Sequence, residues 1–300
     1  MTIIAVIVTH NRLLLLQEAV AALQQQEFAP HRIIVVDNGS TDDTATWLST
    51  QTGLQVITQD NQGASGGFYT GLQAAYQQQA DWIWVMDDDT IARPDTLSML
   101  VRSLKAMEQD HPAYPLGFLV SKAVFTDGHP HWMNLPEVSR VQGPLPFNRF
   151  DQQGIILARS ASFVSLLVSR KAIAQCGYPI REFFIWADDI EYTTRITRSG
   201  LLGAYVPTSV VLHKTATNYS ADIYHAQPNE AQKHFYGIRN TLYCRRVWKG
   251  EFAFWTAVLK QIIVIPVRLL RKRKDHHWLF IRINWRAAFS AMVFLPPKSF

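Results

Sequence analysis

Three adjacent carboxylates, Asp87, Asp88 and Asp89, directly follow the apolar run at residues 82–86. Side by side they repel one another unless they are solvated or share a cation. A divalent ion satisfies them economically, because Mg²⁺ and Mn²⁺ prefer oxygen ligands, take one or two carboxylates from the protein and leave the other positions to a substrate diphosphate. A solvated acidic turn is the alternative. A second pair, Asp188 and Asp189, follows Phe183-Phe184-Ile185-Trp186-Ala187. At a helix start such a pair complements the dipole, worth about 0.3–1 kcal/mol, and that is a sufficient role for Asp188 or Glu191. Placement beside an apolar wall suggests more, since a carboxylate there can act as general base while the Trp186 ring supports a sugar face. His213 ends a later apolar run and could add an imidazole to a Mn²⁺ site. In Asn61-Gln62-Gly63-Ala64-Ser65-Gly66-Gly67, Gly63, Gly66 and Gly67 let backbone N–H groups approach a phosphate.

These residues need a scaffold that gathers them. Residues 3–8 form a β-branched run too short for a buried helix, and Leu13, Leu16, Val20 and Leu23 mark one face of a helix over residues 13–26. Strands are expected at 33–36, 54–58 and 82–86, separated by helices at 43–51 and 68–79. This alternation is that of an α/β fold with a parallel sheet, whose ligands bind beyond the carboxyl ends of the strands. Thr9 to Arg12, Asp37, the glycine loop and the acidic triplet all fall at those ends. Any one of them is an ordinary turn or cap; four on one rim make a site. Beyond Asp89 the order loosens. Residues 111–154, rich in Pro, Gly, His and Asn, read as irregular structure with short strands. Strand character returns at 155–156 and 162–168, a short helix at 171–175, a better one at 188–199, and a strand over 204–212 delivers His213.

The chain has 300 residues, 48% hydrophobic and 18% charged, which fits one large globular domain or a domain with an appendage and excludes disordered and collagen-like classes. The net charge of +5 is unevenly held: residues 251–300 carry nine basic and two acidic side chains, while residues 1–250 carry 20 and 22. Cys176 and Cys244 cannot make a disulfide framework and no Cys/His cluster has zinc spacing, so a reducing, cytoplasmic setting is expected. No basic region precedes the apolar residues 1–8, and Thr9-His10-Asn11-Arg12 cuts them short, so they read as a strand and not as a signal peptide or membrane span.

Ile-Val-Thr-His-Asn-Arg at 7–12, Val-Val-Asp-Asn-Gly-Ser-Thr-Asp at 35–42, the glycine loop and Met-Asp-Asp-Asp at 86–89 together resemble family 2 glycosyltransferases of the GT-A fold, a Rossmann-like mixed sheet flanked by helices. The run at 183–192, with a histidine twenty-four residues past its second Asp, is similar to the galactofuranosyltransferase branch, although Ala187 here separates Trp186 from the pair. The resemblance implies a glycosyltransferase domain over residues 1–245 and a basic, aromatic helical region over 246–300. It also implies roles. Thr9, Asn11, Arg12, Asp37 and Asn61 would surround the nucleotide of a UDP-sugar, with Asp37 accepting from the uracil imide. Gly66 and Gly67 would border the diphosphate or donor sugar. Asp87, Asp89 and His213 would hold Mn²⁺ or Mg²⁺, with Asp88 nearer the ribose. Asp189 would be the base, and Trp186, Asp188 and Arg239 would face acceptor or sugar; Arg239, in a Tyr-x-x-Arg-Asn element, could instead face the phosphates or pair with a carboxylate.

The implied reaction is inverting transfer of galactofuranose from UDP-galactofuranose to a glycan or polyprenyl-linked glycan in cell-surface polysaccharide synthesis, with rhamnose from dTDP-rhamnose as the rival donor. In the tail, Arg268, Arg271, Lys272, Arg273 and Lys274 beside Trp278, Phe280, Trp285 and Phe289 suit peripheral attachment to an anionic membrane surface. The apolar stretch at 252–270 is interrupted by Lys260, Gln261, Pro266 and Arg268, against the pattern of a span. A solvated helical cap is the bland reading of the same residues. A nucleic-acid-binding module would suit the pI of 9.2 but leaves both acidic clusters without a purpose, so no nucleic acid partner is expected. A nucleotide-sugar sensor without turnover is the remaining rival.

Overall fold

The computed structural model describes residues 1–110, 113–218 and 222–297; residues 111–112 of the segment expected to be irregular and 298–300 of the tail lie outside them. The first half alternates as expected: β1 (Ile3–Thr9), α1 (Leu13–Gln24), β2 (Arg32–Asp37), α2 (Thr44–Ser49), β3 (Leu54–Thr58), α3 (Gly63–Gln77) and β4 (Trp82–Asp87). Then come β5 (Thr90–Ala92), α4 (Thr96–Asp110), β6 (Leu116–Val124), a small pair β7 (Val141–Gln142) and β8 (Leu145–Pro146), β9 (Ile156–Leu157), β10 (Leu166–Ser169), α5 (Arg170–Cys176), α6 (Asp188–Arg198) and β11 (Leu202–His213). Helices α7 (Ala231–Leu259), α8 (Ile265–Lys272) and α9 (His277–Val293) complete the chain.

The main sheet runs β3-β2-β1-β4-β10-β6-β11-β5, with β9 beside β11. Strands β1 to β4 are mutually parallel, β10 is antiparallel to both its neighbours, and β11 pairs parallel with β6. Alternate side chains of β1 supply two cores. Ile3, Ala5 and Ile7 join α1 and α4 on one face, whereas Ile4, Val6 and Val8 join α3, α5 and α6 on the other. A strand covered on both faces needs a continuous apolar run, and each fully buried Ile or Val contributes roughly 1.5–3 kcal/mol.

Two elements exceed the sequence reading. Helix α4 buries Leu97, Leu100, Val101, Leu104 and Met107 at helical spacing. Strand β6, nine residues long, crosses what was expected to be irregular, and it anchors β10 and β11. The strand expected at 162–168 begins only at Leu166, because Ser165 has φ 57° and bends the chain there. Helix α7 continues through residue 245, and its backbone breaks at Gly250 (φ 83°). A π-helical stretch, Lys260–Val264, links it to α8. Leu242, Phe254, Val258, Ala288 and Ala291 pack α7 on α9, while Ile180, Phe183 and Cys244 join α7 to the α/β domain.

Candidate active site

Strand pairing brings the acidic triplet and the distant histidine together. Val8 pairs with Asp87 and Thr9 with Asp37, so these polar side chains emerge at the same level of the sheet. The chain turns at Asp88-Asp89 into β5, which pairs antiparallel with β11 and sets His213 opposite Thr90. Ligand atoms of Asp87, Asp89 and His213 consequently lie within 4.8 Å of one another. His213 Nδ1 is 2.7 Å from Asn134 Oδ1, and Asn134 Nδ2 donates to Ser162 Oγ at 2.9 Å, which orients the amide so that its oxygen accepts from Nδ1. That leaves Nε2 as a lone-pair donor, 3.1 Å from Asp89 Oδ1. Asp89 Oδ1 is buried and receives no hydrogen bond. Two electron-rich atoms in contact, one of them an orphaned carboxylate oxygen, fit a divalent cation by both donor type and need.

The electrostatics agree with a site built around a cation. Burial, then Asp89 and Asp88, push Asp87 well above the usual carboxylate range. Burial also raises Asp88 to about 6 against the pull of Arg12. Against burial, a proton on His213 Nε2 together with Arg12 would hold Asp89 at about 2, and a cation in the place of that proton acts in the same sense. Arg12 Nη1 reaches both Asp88 Oδ1 (3.2 Å) and Asp89 Oδ2, and Thr9 Oγ1 donates to Asp88 Oδ2 at 2.8 Å. One guanidinium thus offsets part of a threefold negative charge. Buried His131, whose ring is tilted against that of His213 with centroids 4.4 Å apart, is kept at about 4 chiefly by burial, so it stays neutral beside the cluster.

Several rim residues bind the loops to one another. Asn11, at φ 55°, accepts from Thr41 N through Oδ1 at 2.6 Å, and its own N–H donates to Ser40 Oγ. Buried Asp37 accepts from Ser40 N at 3.0 Å. Asn61 Oδ1 accepts from Gly63 N, and buried Asn38, which the sequence reading passed over, accepts from Gln62 N and donates to Gly63 O. The glycines need correcting: α3 begins at Gly63, so Gly66 and Gly67 lie in its first turns and not in a loop. A Cβ on Gly67 would stand 2.4 Å from Val8 Cγ1, and one on Gly66 2.4 Å from Gln62 Cβ. Gly67 therefore lets α3 approach β1.

Asp188 and Asp189 start α6 from a strained lead. Phe184, Trp186 and Ala187 have φ of 68°, 64° and 66° in a four-residue span, where each left-handed non-glycine residue costs of order 1 kcal/mol. Asn240 on α7 holds that span: its Nδ2 donates to the carbonyls of Phe183 (2.9 Å), Ile185 (3.1 Å) and Trp186 (2.9 Å). Arg239 is engaged with the same span. Among the described residues it makes no ion pair; its Nη2 donates to Glu182 O and Phe183 O and to Asn240 Oδ1, and its guanidinium lies 3.9 Å from the Phe294 ring centre. Burial lowers it to about 10. Two close approaches seat the span, since a Cβ on Gly63 would meet Phe184 O at 2.0 Å and one on Gly237 would meet Trp186 Cε3 at 2.7 Å. Asp188 is buried, and burial raises it. Burial and then Asp188 lift Asp189 to about 7, the right place for a base at neutral pH.

One cleft of about 970 Å³ joins these parts. Arg12, Asp87, Asp89 and His213 line one side; Trp186, Asp188 and Asp189 line another, and α7 forms a wall. Thr9, Asn11, Asp37, Asn61, Gly66, Gly67, Asp88 and Arg239 are not part of this lining.

The family model described as Glycosyl transferase family 2 matches residues 4–163. Galactofuranosyltransferase GlfT1 of Mycolicibacterium smegmatis is 29% identical over 252 residues, covering 80% of this chain and 81% of that protein. GlfT1 of Mycobacterium tuberculosis is 27% identical over 269 residues, covering 81% of each. The N-acetylglucosaminyl-diphospho-decaprenol L-rhamnosyltransferase of M. tuberculosis is 26% identical, covering 69% of this chain and 74% of that protein. Among solved structures, S. aureus TarS 1–349 superposes with a TM-score of 0.53 over 97% of this chain and 91% of that one at 16% identity, a likeness of fold.

Proposed function

Because the chain belongs to glycosyl transferase family 2 and is a glycosyltransferase, we propose that it transfers galactofuranose from UDP-galactofuranose, with inversion, to a hydroxyl of a lipid-linked glycan. The observation that carries this reading is the shared cleft, in which an oxygen-and-imidazole cation site faces a carboxylate raised to about 7 beside an indole wall. Asp87, Asp89 and His213 would hold Mn²⁺ or Mg²⁺, which would supply Lewis-acid neutralisation of the departing diphosphate. Arg12 reaches Asp88 and Asp89 and sets the charge of that pocket. Asp189 takes the proton of the acceptor hydroxyl as its oxygen attacks the anomeric carbon, and the bond to the diphosphate breaks. With a single displacement, an α-linked donor gives a β-galactofuranoside. Trp186 supports the sugar face, and Asp37 recognises the uracil. Similarity to galactofuranosyltransferases over four-fifths of the chain supports the sugar, and the acidic cluster with His213 supports the metal-dependent branch.

The rhamnosyltransferase relative's printed name describes a diphospho-decaprenol acceptor, which supports a polyprenyl-linked acceptor here and work at the cytoplasmic face of a membrane. The C-terminal surface agrees. Phe252, Trp255, Leu259, Ile263, Val267, Leu270, Trp278, Trp285 and Phe289 are exposed among exposed Lys260, Arg268, Arg271, Lys272, Lys274, Arg282 and Arg286. Arg273 is different: buried, it donates to Ala226 O and lies over the Phe280 ring. By length and composition the run Pro228–Lys272 includes one 18-residue window of mean hydropathy 1.6, 22% buried, apolar enough to cross a membrane. Lys260, Gln261, Pro266 and Arg268 inside it, and its packing on α9, favour lying on the surface.

The test is UDP release from UDP-galactofuranose, with dTDP-rhamnose alongside, each with Mn²⁺ and with EDTA. Metal-dependent release from the furanose alone is expected. Turnover of dTDP-rhamnose alone would overturn the sugar, and UDP binding without consumption would turn the enzyme reading into a sensor.

A further inference from the structure

The catalytic wall of α7 carries two cations that nothing in the site uses. Lys233, Gly237, Thr241, Arg245 and Lys249 recur every four residues and all line the cleft. Gly237 touches Trp186, and Arg245 and Lys249 follow about 12 and 18 Å farther along the helix axis. Among the described residues neither makes an ion pair, while Arg246, between them in sequence, is matched by Glu251. Arg245 donates through Nε to Ala253 O, which fixes its stem and leaves its terminal nitrogens for another acceptor. Trp248 lies beside them on the cleft. Just past Lys249 the helix breaks at Gly250, and Phe252, 85% exposed, opens the bare apolar stripe that continues through Trp255, Leu259 and Ile263.

Base and indole, then free cations follow one another along α7 to its break at Gly250, and uncovered apolar surface begins just around that break at Phe252, on the arm that packs back against Leu242. A molecule with a sugar end, an anionic middle and a hydrocarbon end matches that order. Resting on the lipid-linked acceptor proposed above, we infer that Arg245 and Lys249 form the subsite for the acceptor's diphosphate, with its sugars toward Asp189 and its polyprenyl chain on the stripe from Phe252. Guanidinium and ammonium groups accept a diphosphate directly, the first as a bidentate fork and the second as a point charge. The carboxylates of Asp87 and Asp89 do so only through a cation.

The test is a tryptophan-fluorescence titration of the full chain with farnesyl diphosphate, farnesol and inorganic pyrophosphate, each with and without saturating UDP and Mn²⁺. Wild type should bind farnesyl diphosphate with UDP present and more tightly than either other probe. In the Arg245→Ala/Lys249→Ala variant its Kd should rise at least about tenfold, the size expected for losing charged hydrogen bonds. Arg245→Lys/Lys249→Arg should recover most of the affinity, which a fold defect would not allow. Equal binding by wild type and the alanine variant overturns the subsite. Farnesol binding as tightly as the diphosphate overturns its anionic character, and pyrophosphate binding as tightly overturns the lipid-linked ligand. Failure of UDP to bind wild type would count against the donor reading alone, because the farnesyl diphosphate arm without UDP reads the subsite independently.

Discussion

Replacing Asn240 by alanine tests whether the general base is positioned by a distant amide. In the folded chain the two N–H groups of its Nδ2 are shared among three carbonyls between Phe183 and Trp186, at about 1 kcal/mol net for each N–H, or about 2 kcal/mol in all. The span it holds stores a comparable amount, because Phe184, Trp186 and Ala187 are all left-handed at roughly 1 kcal/mol or more apiece. The two nearly cancel, so removing the amide lets the span relax and carries Asp189, two residues beyond Ala187, away from its working place. A displacement near 1 Å at a reacting group costs about 10²-fold in rate. Asn240→Ala should therefore lower kcat by about 10² while donor KM changes little, since the donor side of the cleft is made by other strands. Asn240→Asp keeps the size but offers no donor to a carbonyl when ionised, and should behave like alanine. The assay is steady-state UDP release, with urea unfolding in parallel. A kcat within about threefold of wild type in Asn240→Ala, alongside a stability loss of about 2 kcal/mol that shows the hydrogen bonds gone and the strain retained, would refute the positioning argument.

Asp189→Asn should reduce kcat by about 10³ and leave UDP binding intact, as removal of a general base does; loss of UDP binding would reject the assignment. Since burial and Asp188 raise Asp189 to about 7, its proton is held to higher pH than an ordinary carboxyl holds one, and kcat/KM should fall as pH drops below 7; a flat profile down to about pH 5 would exclude Asp189 as the base. Asn134→Ala takes the acceptor from His213 Nδ1 and should weaken Mn²⁺ binding about 10–100-fold, read by metal titration of UDP binding. Gly67→Ala places a methyl 2.4 Å from Val8 Cγ1 and should cost about 1–3 kcal/mol, seen as a lower Tm.

The first ninety residues were legible because period and punctuation agree there: β-branched runs set β1 to β4, and turn residues mark the rim where Asp37 and Asp87 emerge. What the sequence could not convey was pairing between distant segments. His213 was readable as a candidate ligand, but its approach to Asp89 depends on the β5 and β11 register, and its orientation on Asn134, from a stretch whose Pro, Gly and His content resembles a loop. Strand β6 was hidden by the same composition. Arg239 stands out in sequence through its Tyr-x-x-Arg-Asn element, yet burial spends its charge on backbone carbonyls. Asn240 closes the same element, but the element does not tell its role, because the strain it holds exists only once residues 183–187 are folded against α7. Gly66 and Gly67 were misplaced for a related reason. Glycines favour loops, but a close helix–strand contact asks for the same residue.

In the proposed reaction, helix α7 links the general base to the acceptor's anionic group. Gly237 seats Trp186, Asn240 fixes the span leading to Asp189, and Arg245 and Lys249 extend the same wall toward the exposed apolar surface. Eight residues separate Gly237 from Arg245, a rise of about 12 Å that a rigid helix keeps constant. The distance between the attacked hydroxyl and the acceptor's anionic group is then set by helix pitch, and not by loops that could lengthen or shorten it. An acceptor with too short a glycan would place its diphosphate short of Arg245, and one with too long a glycan would carry it past Lys249. Acceptor length thus becomes a selected quantity, and a series of diphosphate-linked glycans differing by one sugar should show a sharp optimum in kcat/KM. Loss of that optimum in the Arg245→Ala/Lys249→Ala variant would assign the measuring function to α7, whereas an equally sharp optimum in the variant would refute it.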